Sequence, residues 1–168
     1  MIAAVLCLSA AVIGTGGQAR DKHGRELSPD VWVSVFAGGN FGPGWWYVDV
    51  ARPADGKLVV SGSELLKRRL TPDEERTLAS LVAALSPNRR LSFGIAYIDI
   101  TTTFELRVKS HDGWRTYSVT SDLGHDADKK EVQAILRVLH FLYGLLGSSE
   151  ATRPPEPTSE TRGRRTRG

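Results

Sequence analysis

The sequence predicts an α+β fold: an antiparallel sheet of about five strands, in the order βββ-α-ββ-α, with two helices packed on one face. Three observations lead there. Residues 98–109 alternate strictly between apolar and polar. Thr71-Pro72-Asp73-Glu74 is a helix start, and residues 126–146 carry a long apolar stripe at helical spacing. Strands followed by helices that each show one apolar face bury those faces against one another in layers.

The alternation is the firmest of the three. Ile98, Ile100, Thr102, Phe104, Leu106 and Val108 fall on one side, and Asp99, Thr101, Thr103, Glu105, Arg107 and Lys109 on the other. Successive strand side chains point to opposite faces, so one face is buried and one is wet. Asp112-Gly113 supplies a type I′ turn, because Gly accepts positive φ and Asp tolerates it. A two-residue loop there pairs His111 with Trp114, Val108 with Tyr117 and Leu106 with Val119. A hairpin alone is marginal in water, so further strands and a covering layer are required.

Those come from the rest of the chain. Val31–Phe36, VWVSVF, is too apolar to alternate and reads as a buried strand. Residues 37–44, AGGNFGPG, form a loop, since four glycines and a proline do not hold a strand. Trp45–Val50 is a second strand, with Trp46, Val48 and Val50 on the core side and Trp45, Tyr47 and Asp49 outside. Asp55-Gly56 turns the chain into a third strand at Leu58–Ser61. Thr71 caps the first helix, Pro72 fits its first turn, and Glu74 completes a capping box. Leu78, Leu81, Val82 and Leu85 mark its apolar face, and Ser86-Pro87 ends it. The second helix starts near Asp126 or Asp128, with Asp128 and Glu131 as an acidic capping pattern. Val132, Ile135, Leu136, Leu139, Leu142, Tyr143 and Leu146 form its stripe.

The ends differ from this body. Ile2–Ile13 is an uncharged apolar run, too short to span a bilayer as a helix of ~20 residues, and Gly17-Gln18-Ala19 has the small-x-small form of a cleavage site. Residues 1–19 are therefore read as a signal peptide and residues 20–30 as a mobile lead-in. The domain proper is 31–147, and the expected location is secreted or periplasmic. Cys7 lies in the leader, so the mature chain keeps no cysteine for disulfides, thiolate zinc ligands or thiol catalysis. Residues 148–168 hold no large apolar side chain and read as a disordered Arg/Pro-rich tail, dispensable for folding. The formal net charge is +3, and the tail's five arginines against three glutamates from Glu150 onward account for two of those charges. The charge therefore gives no warrant for a basic nucleic-acid-binding face on the body; the tail alone could touch an anionic surface weakly.

Chemical motifs are sparse. There is no G-x-S-x-G elbow, H-E-x-x-H pair or P-loop, and neither a catalytic residue nor a cofactor or metal is assigned. His125, Asp126 and Asp128 are metal-capable, but as loop and capping residues they need no ion. A metal-dependent hydrolase around them is the alternative to the main reading. A cell-envelope structural protein tethered by its basic tail is the other. Glu105, Arg107, Lys109 and Arg115 read as a solvated strand face. The distinctive cluster is aromatic: Phe41, Trp45, Trp46 and Tyr47 lie together beside a glycine-rich loop, and alternation lets only half of them face the core. Trp and Tyr are enriched at binding hot spots. The candidate partner-binding residues are Gly39, Asn40, Phe41, Trp45 and Tyr47.

Across residues 31–146 the sequence resembles the emfourin family of small proteinaceous inhibitors of thermolysin-like metalloproteases. The residues that carry the resemblance are Gly38-Gly39-Asn40-Phe41 after the first strand, the helix start from Leu70 to Glu75, and the strand Phe104-Glu105-Leu106-Arg107-Val108, followed by a terminal helix. The leader, the Trp45-Trp46 pair and the tail depart from that pattern. The resemblance implies a binding loop and a non-enzymatic protein-binding domain. The expected partner of this chain is a protein, a secreted or periplasmic protease being the candidate, and the chain is taken as a monomer.

Overall fold

A computed structural model describes residues 25–38, 45–63, 67–94, 101–147 and 154–157. The leader, Gly39–Gly44 with its candidates Gly39, Asn40 and Phe41, Ile98 and Ile100 of the alternating run, and most of the tail lie outside the described residues.

The architecture is α+β, with a mixed seven-stranded sheet and two helices among the described residues. The strands are β1 (Val31–Gly38), β2 (Trp46–Ala51), β3 (Val59–Gly62), β4 (Arg68–Arg69), β5 (Arg90–Phe93), β6 (Thr103–Ser110) and β7 (Gly113–Thr120). The helices are α1 (Pro72–Ala83) and α2 (Lys130–Gly144). The sheet order is β4-β3-β2-β1-β6-β7-β5. Two strands were not expected. β4 is only two residues long, too short for any periodicity to show. β5 runs parallel to β7, pairing Leu91 with Tyr117 and Phe93 with Val119, so the sheet is not purely antiparallel. Its crossover from α1 puts it at the far edge, a placement that no local pattern encodes.

Inner-face side chains follow the period of two. Val33, Val35 and Ala37 of β1, Trp46, Val48 and Val50 of β2, and Phe104, Leu106 and Val108 of β6 are buried in one cluster with Tyr117 and Val119 of β7. α1 adds Leu78 and Val82 with Leu85 just beyond it, and α2 adds Val132, Ile135, Leu136, Val138, Leu139 and Leu142. Each fully buried Val, Leu, Ile or Phe side chain among them contributes ~1.5–3 kcal/mol relative to exposure.

The central hairpin keeps the expected facing in a different register. Leu106 pairs with Tyr117, Phe104 with Val119 and Arg107 with Thr116. The turn residues are His111 and Asp112, between Ser110 and Gly113. Among the described residues only glycines have positive φ, and Gly113 sits at 107°. A type I′ turn needs positive φ at both central residues, so the turn is not of that type. Glycine instead takes the single left-handed position after the turn, and the pairing moves by two residues, which preserves the buried face.

Helix ends divide the same way. Thr71 accepts from the Glu74 amide and the Glu74 carboxylate accepts from the Thr71 amide, completing the expected capping box. α2 does not begin on an aspartate: its N-cap is Lys129, with no side-chain cap bond. Gly124–Asp126 forms a separate 3-10 turn. Asp126 is turned instead toward the end of β5, where Oδ2 accepts from the Gly94 amide at 2.9 Å. Gly94 has φ of 89°, and a Cβ there would lie 2.1 Å from Thr120 Oγ1, so only glycine lets the chain pass.

The flanking segments also pack. Leu27 is 3% exposed, and Lys109 Nζ donates to the Pro29 carbonyl at 2.6 Å. The lead-in is therefore part of the domain from Arg25 on. In the tail, Pro154 is buried and the Pro155 carbonyl lies 2.7 Å from His140 Nε2. The expectation of a disordered tail does not hold for Pro154–Pro157; a proline docks without needing the large side chains on which that expectation turned.

Candidate functional site

The site is built on the outer face of the sheet. In β1 the residues between the core positions are Trp32, Ser34 and Phe36, and in β2 they are Tyr47 and Asp49. Register sets them side by side: Phe36 faces Tyr47, and Ser34 faces Asp49. On the other flank of β1, Phe36 faces Glu105 and Ser34 faces Arg107. The outer face thus holds one row with two aromatic rings and one polar row.

The polar row is covered. The Arg25 guanidinium pairs with both oxygens of Asp49 and reaches Ser34 Oγ at 3.3 Å. Ser34 Oγ donates to Asp49 Oδ1 at 2.7 Å, and both residues are buried. Glu105 and Arg107 pair at 2.8 Å with side chains only 11% and 16% exposed. These charges were expected on a solvated face. The lead-in instead crosses the sheet and takes part of that face out of water, and ionic groups so placed must pair. Arg115 is not on the same side as Glu105 and Arg107, since its register partner is Val108.

The aromatic side of this face is exposed at Trp45. Trp45, just before β2, stacks on Phe36 at 6.4 Å between centroids and 15° between planes, and on Tyr47 at 6.3 Å and 13°. Beyond them the Arg25 guanidinium lies 4.1 Å from the Tyr47 ring centre, a cation–π contact. Phe36 is 7% exposed, whereas Trp45 is 64% exposed and is the one exposed large hydrophobic side chain among the described residues. Its neighbour Trp46 is 1% exposed and lies against Phe104 and Tyr143 on the inner face. The opposite facing of Trp45 and Trp46 is as the alternation requires.

The structure thus brings together two of the sequence candidates, Trp45 and Tyr47. It adds Phe36 and Arg25. Phe36 was legible in principle, because Ser34 interrupts the apolar run and marks Trp32, Ser34 and Phe36 as a second face. Arg25 had no such signal: it belongs to a polar segment whose path over the sheet is a tertiary fact.

The other candidate cluster does not converge. His125 and Asp128 are exposed, and Asp126 binds Lys129 Nζ at 2.7 Å besides the Gly94 amide. The Lys129 ammonium first, and then that amide, hold the Asp126 carboxyl below its ordinary range. Among the described residues no three His, Cys, Asp or Glu side chains are grouped to hold a metal ion. Nor is any described helix long and apolar enough to cross a membrane.

What the outer face offers chemically is a flat aromatic surface with fixed polar neighbours. Phe36 below and Tyr47 beside it restrain the Trp45 ring, so little rotamer entropy remains to be lost on contact. Among known proteins, no family model matches this chain and no curated protein shows significant similarity to it.

Proposed function

We propose that this is an exported, non-enzymatic domain that binds another protein through the Phe36–Trp45–Tyr47 face. The observation that carries the reading is Trp45: a large ring 64% exposed, yet held between two stacked neighbours. A preorganised aromatic anchor is what hot spots use. The polar groups nearby are tied in ion pairs, which suits a binding surface better than a proton-transfer site. Export rests on the composition of residues 1–19. The resemblance to emfourins supplies the partner class, a secreted thermolysin-like metalloprotease, with Gly39, Asn40 and Phe41 as the further contact residues it implies.

The test is binding and inhibition of thermolysin by the purified chain, alongside Trp45→Ala and Tyr47→Ala. Inhibition by the parent, weakened ~30-fold or more in Trp45→Ala as for a hot spot worth at least ~2 kcal/mol, supports both surface and partner class. No binding by the parent removes the protease assignment. Unchanged binding by Trp45→Ala removes the aromatic face.

A further inference from the structure

The segment Pro154-Pro155-Glu156-Pro157, the described part of the tail, lies against α2 at His140. Proline rings and the restriction they place on the preceding residue favour an extended polyproline II chain, which turns once every three residues. Pro154 and Pro157 then share one side and Glu156 points elsewhere. Pro154 is buried, Pro155 and Pro157 are half-buried, and Glu156 is exposed, so the rings face the protein and the carboxylate faces water.

A proline has no N–H, so such a segment can offer its host only ring faces and carbonyl oxygens. The host must therefore supply a donor. α2 supplies His140, whose Nε2 lies 2.7 Å from the Pro155 carbonyl. A carbonyl only accepts, so this nitrogen carries the proton and donates. The imidazole is mostly enclosed, with a side chain 17% exposed, and Glu156 stands 3.9 Å from its other nitrogen. Grooves that recognise proline-rich peptides exploit the preformed, low-entropy polyproline II chain, and a donor such as His140 fixes one of its carbonyls in place.

We propose that the face of α2 around His140 is a binding site for extended proline-rich peptides, occupied here by the chain's own Pro154–Pro157. The site is separate from the aromatic face on the other side of the sheet, and neither reading depends on the other.

The test uses the full chain carrying Pro154→Ser and Pro157→Ser, which dislodges the internal occupant and leaves α2 intact. The probe is a synthetic peptide of residues 151–160, followed by NMR shifts of the His140 imidazole and the α2 amides. The double variant should bind it saturably. The parent should bind at least about tenfold more weakly, because its tethered segment competes at high effective concentration. Adding His140→Ala to the double variant should weaken binding by about tenfold or more, and His140→Gln, whose amide can donate to the same carbonyl, should recover part of it. Thermal midpoints identify any variant that fails to fold, and if His140→Ala does, the Gln variant and the parent decide. Absence of saturable shifts at millimolar peptide overturns the proposal. So does equal binding of a peptide with its prolines replaced by alanine, or binding indifferent to both His140 substitutions.

Discussion

Trp45 and Trp46 are adjacent in the chain and opposite in role, and a single substitution at each separates folding from binding. Trp46 is 1% exposed between Phe104 and Tyr143, so Trp46→Ala should cost ~3–5 kcal/mol in urea denaturation, the range for a large aromatic removed from a core. Trp45→Ala loses only its stacking on Phe36 and Tyr47, ~1 kcal/mol or less. Equal, large losses in both would place both rings in cores and remove the argument for a binding face. The Arg25–Asp49 pair tests the covered polar row. Arg25→Ala leaves the Asp49 carboxylate in a largely buried position with the Ser34 hydroxyl still donating to it. Breaking a fully buried pair costs ~3–5 kcal/mol; with Arg25 27% exposed, a loss of about 2 kcal/mol is expected. A change within about 0.5 kcal/mol, typical of surface sites, would mean that the lead-in does not seal that row in solution.

At the level of elements, the junction of β4 and α1 concentrates its stability in one carboxylate. Glu74 receives two bonds from Arg68, at 2.8 and 2.9 Å, and one from the Thr71 amide at 2.8 Å. The Arg68 guanidinium first, and the Thr71 amide second, bring Glu74 from the ordinary 4.5 down to about 2. A carboxyl depressed on folding stabilises the folded chain above its unfolded value, and that contribution is lost as pH falls through the folded one. The stability of the parent should therefore drop between about pH 4.5 and 2, and Glu74→Gln should flatten that part of the profile. Identical acid limbs in the two proteins would show that the ion pair is not maintained in solution. Thr71→Ala removes the reciprocal cap and should cost ~1 kcal/mol at neutral pH.

For the whole molecule, the sheet order sets a gradient of protection. β1 is hydrogen-bonded on both sides by long partners, β2 and β6, whereas β4 contributes two residues at one edge and β5 four at the other. Amide exchange should be slowest in β1 and β6 and fastest in β4, since local opening follows the burial and pairing of each segment. Protection in β4 equal to that in β1 would contradict the order. The tail belongs to this scale as well. With Pro154 buried and one carbonyl bound by His140, deleting residues 148–168 should lower stability by about 1 kcal/mol rather than leave it unchanged.

Local rules settled the parts of this protein that depend on near neighbours. The capping box at Thr71 and Glu74, the opposite facing of Trp45 and Trp46, and the buried stripe of α2 are short-range patterns, and each is present as the residues imply. The candidate site was half legible for the same reason: Trp45 and Tyr47 declare their face by alternation, while Arg25 arrives from 24 residues away from its partner Asp49. What only the tertiary structure decided are pairings between distant segments. β5 joins β7 in parallel, Asp126 leaves its helix to hold Gly94, and the polar row of the sheet is roofed by the lead-in. Those contacts depend on loop paths and on which buried charge finds which partner, energies that exist only once the chain is folded and that leave no periodicity behind in the sequence.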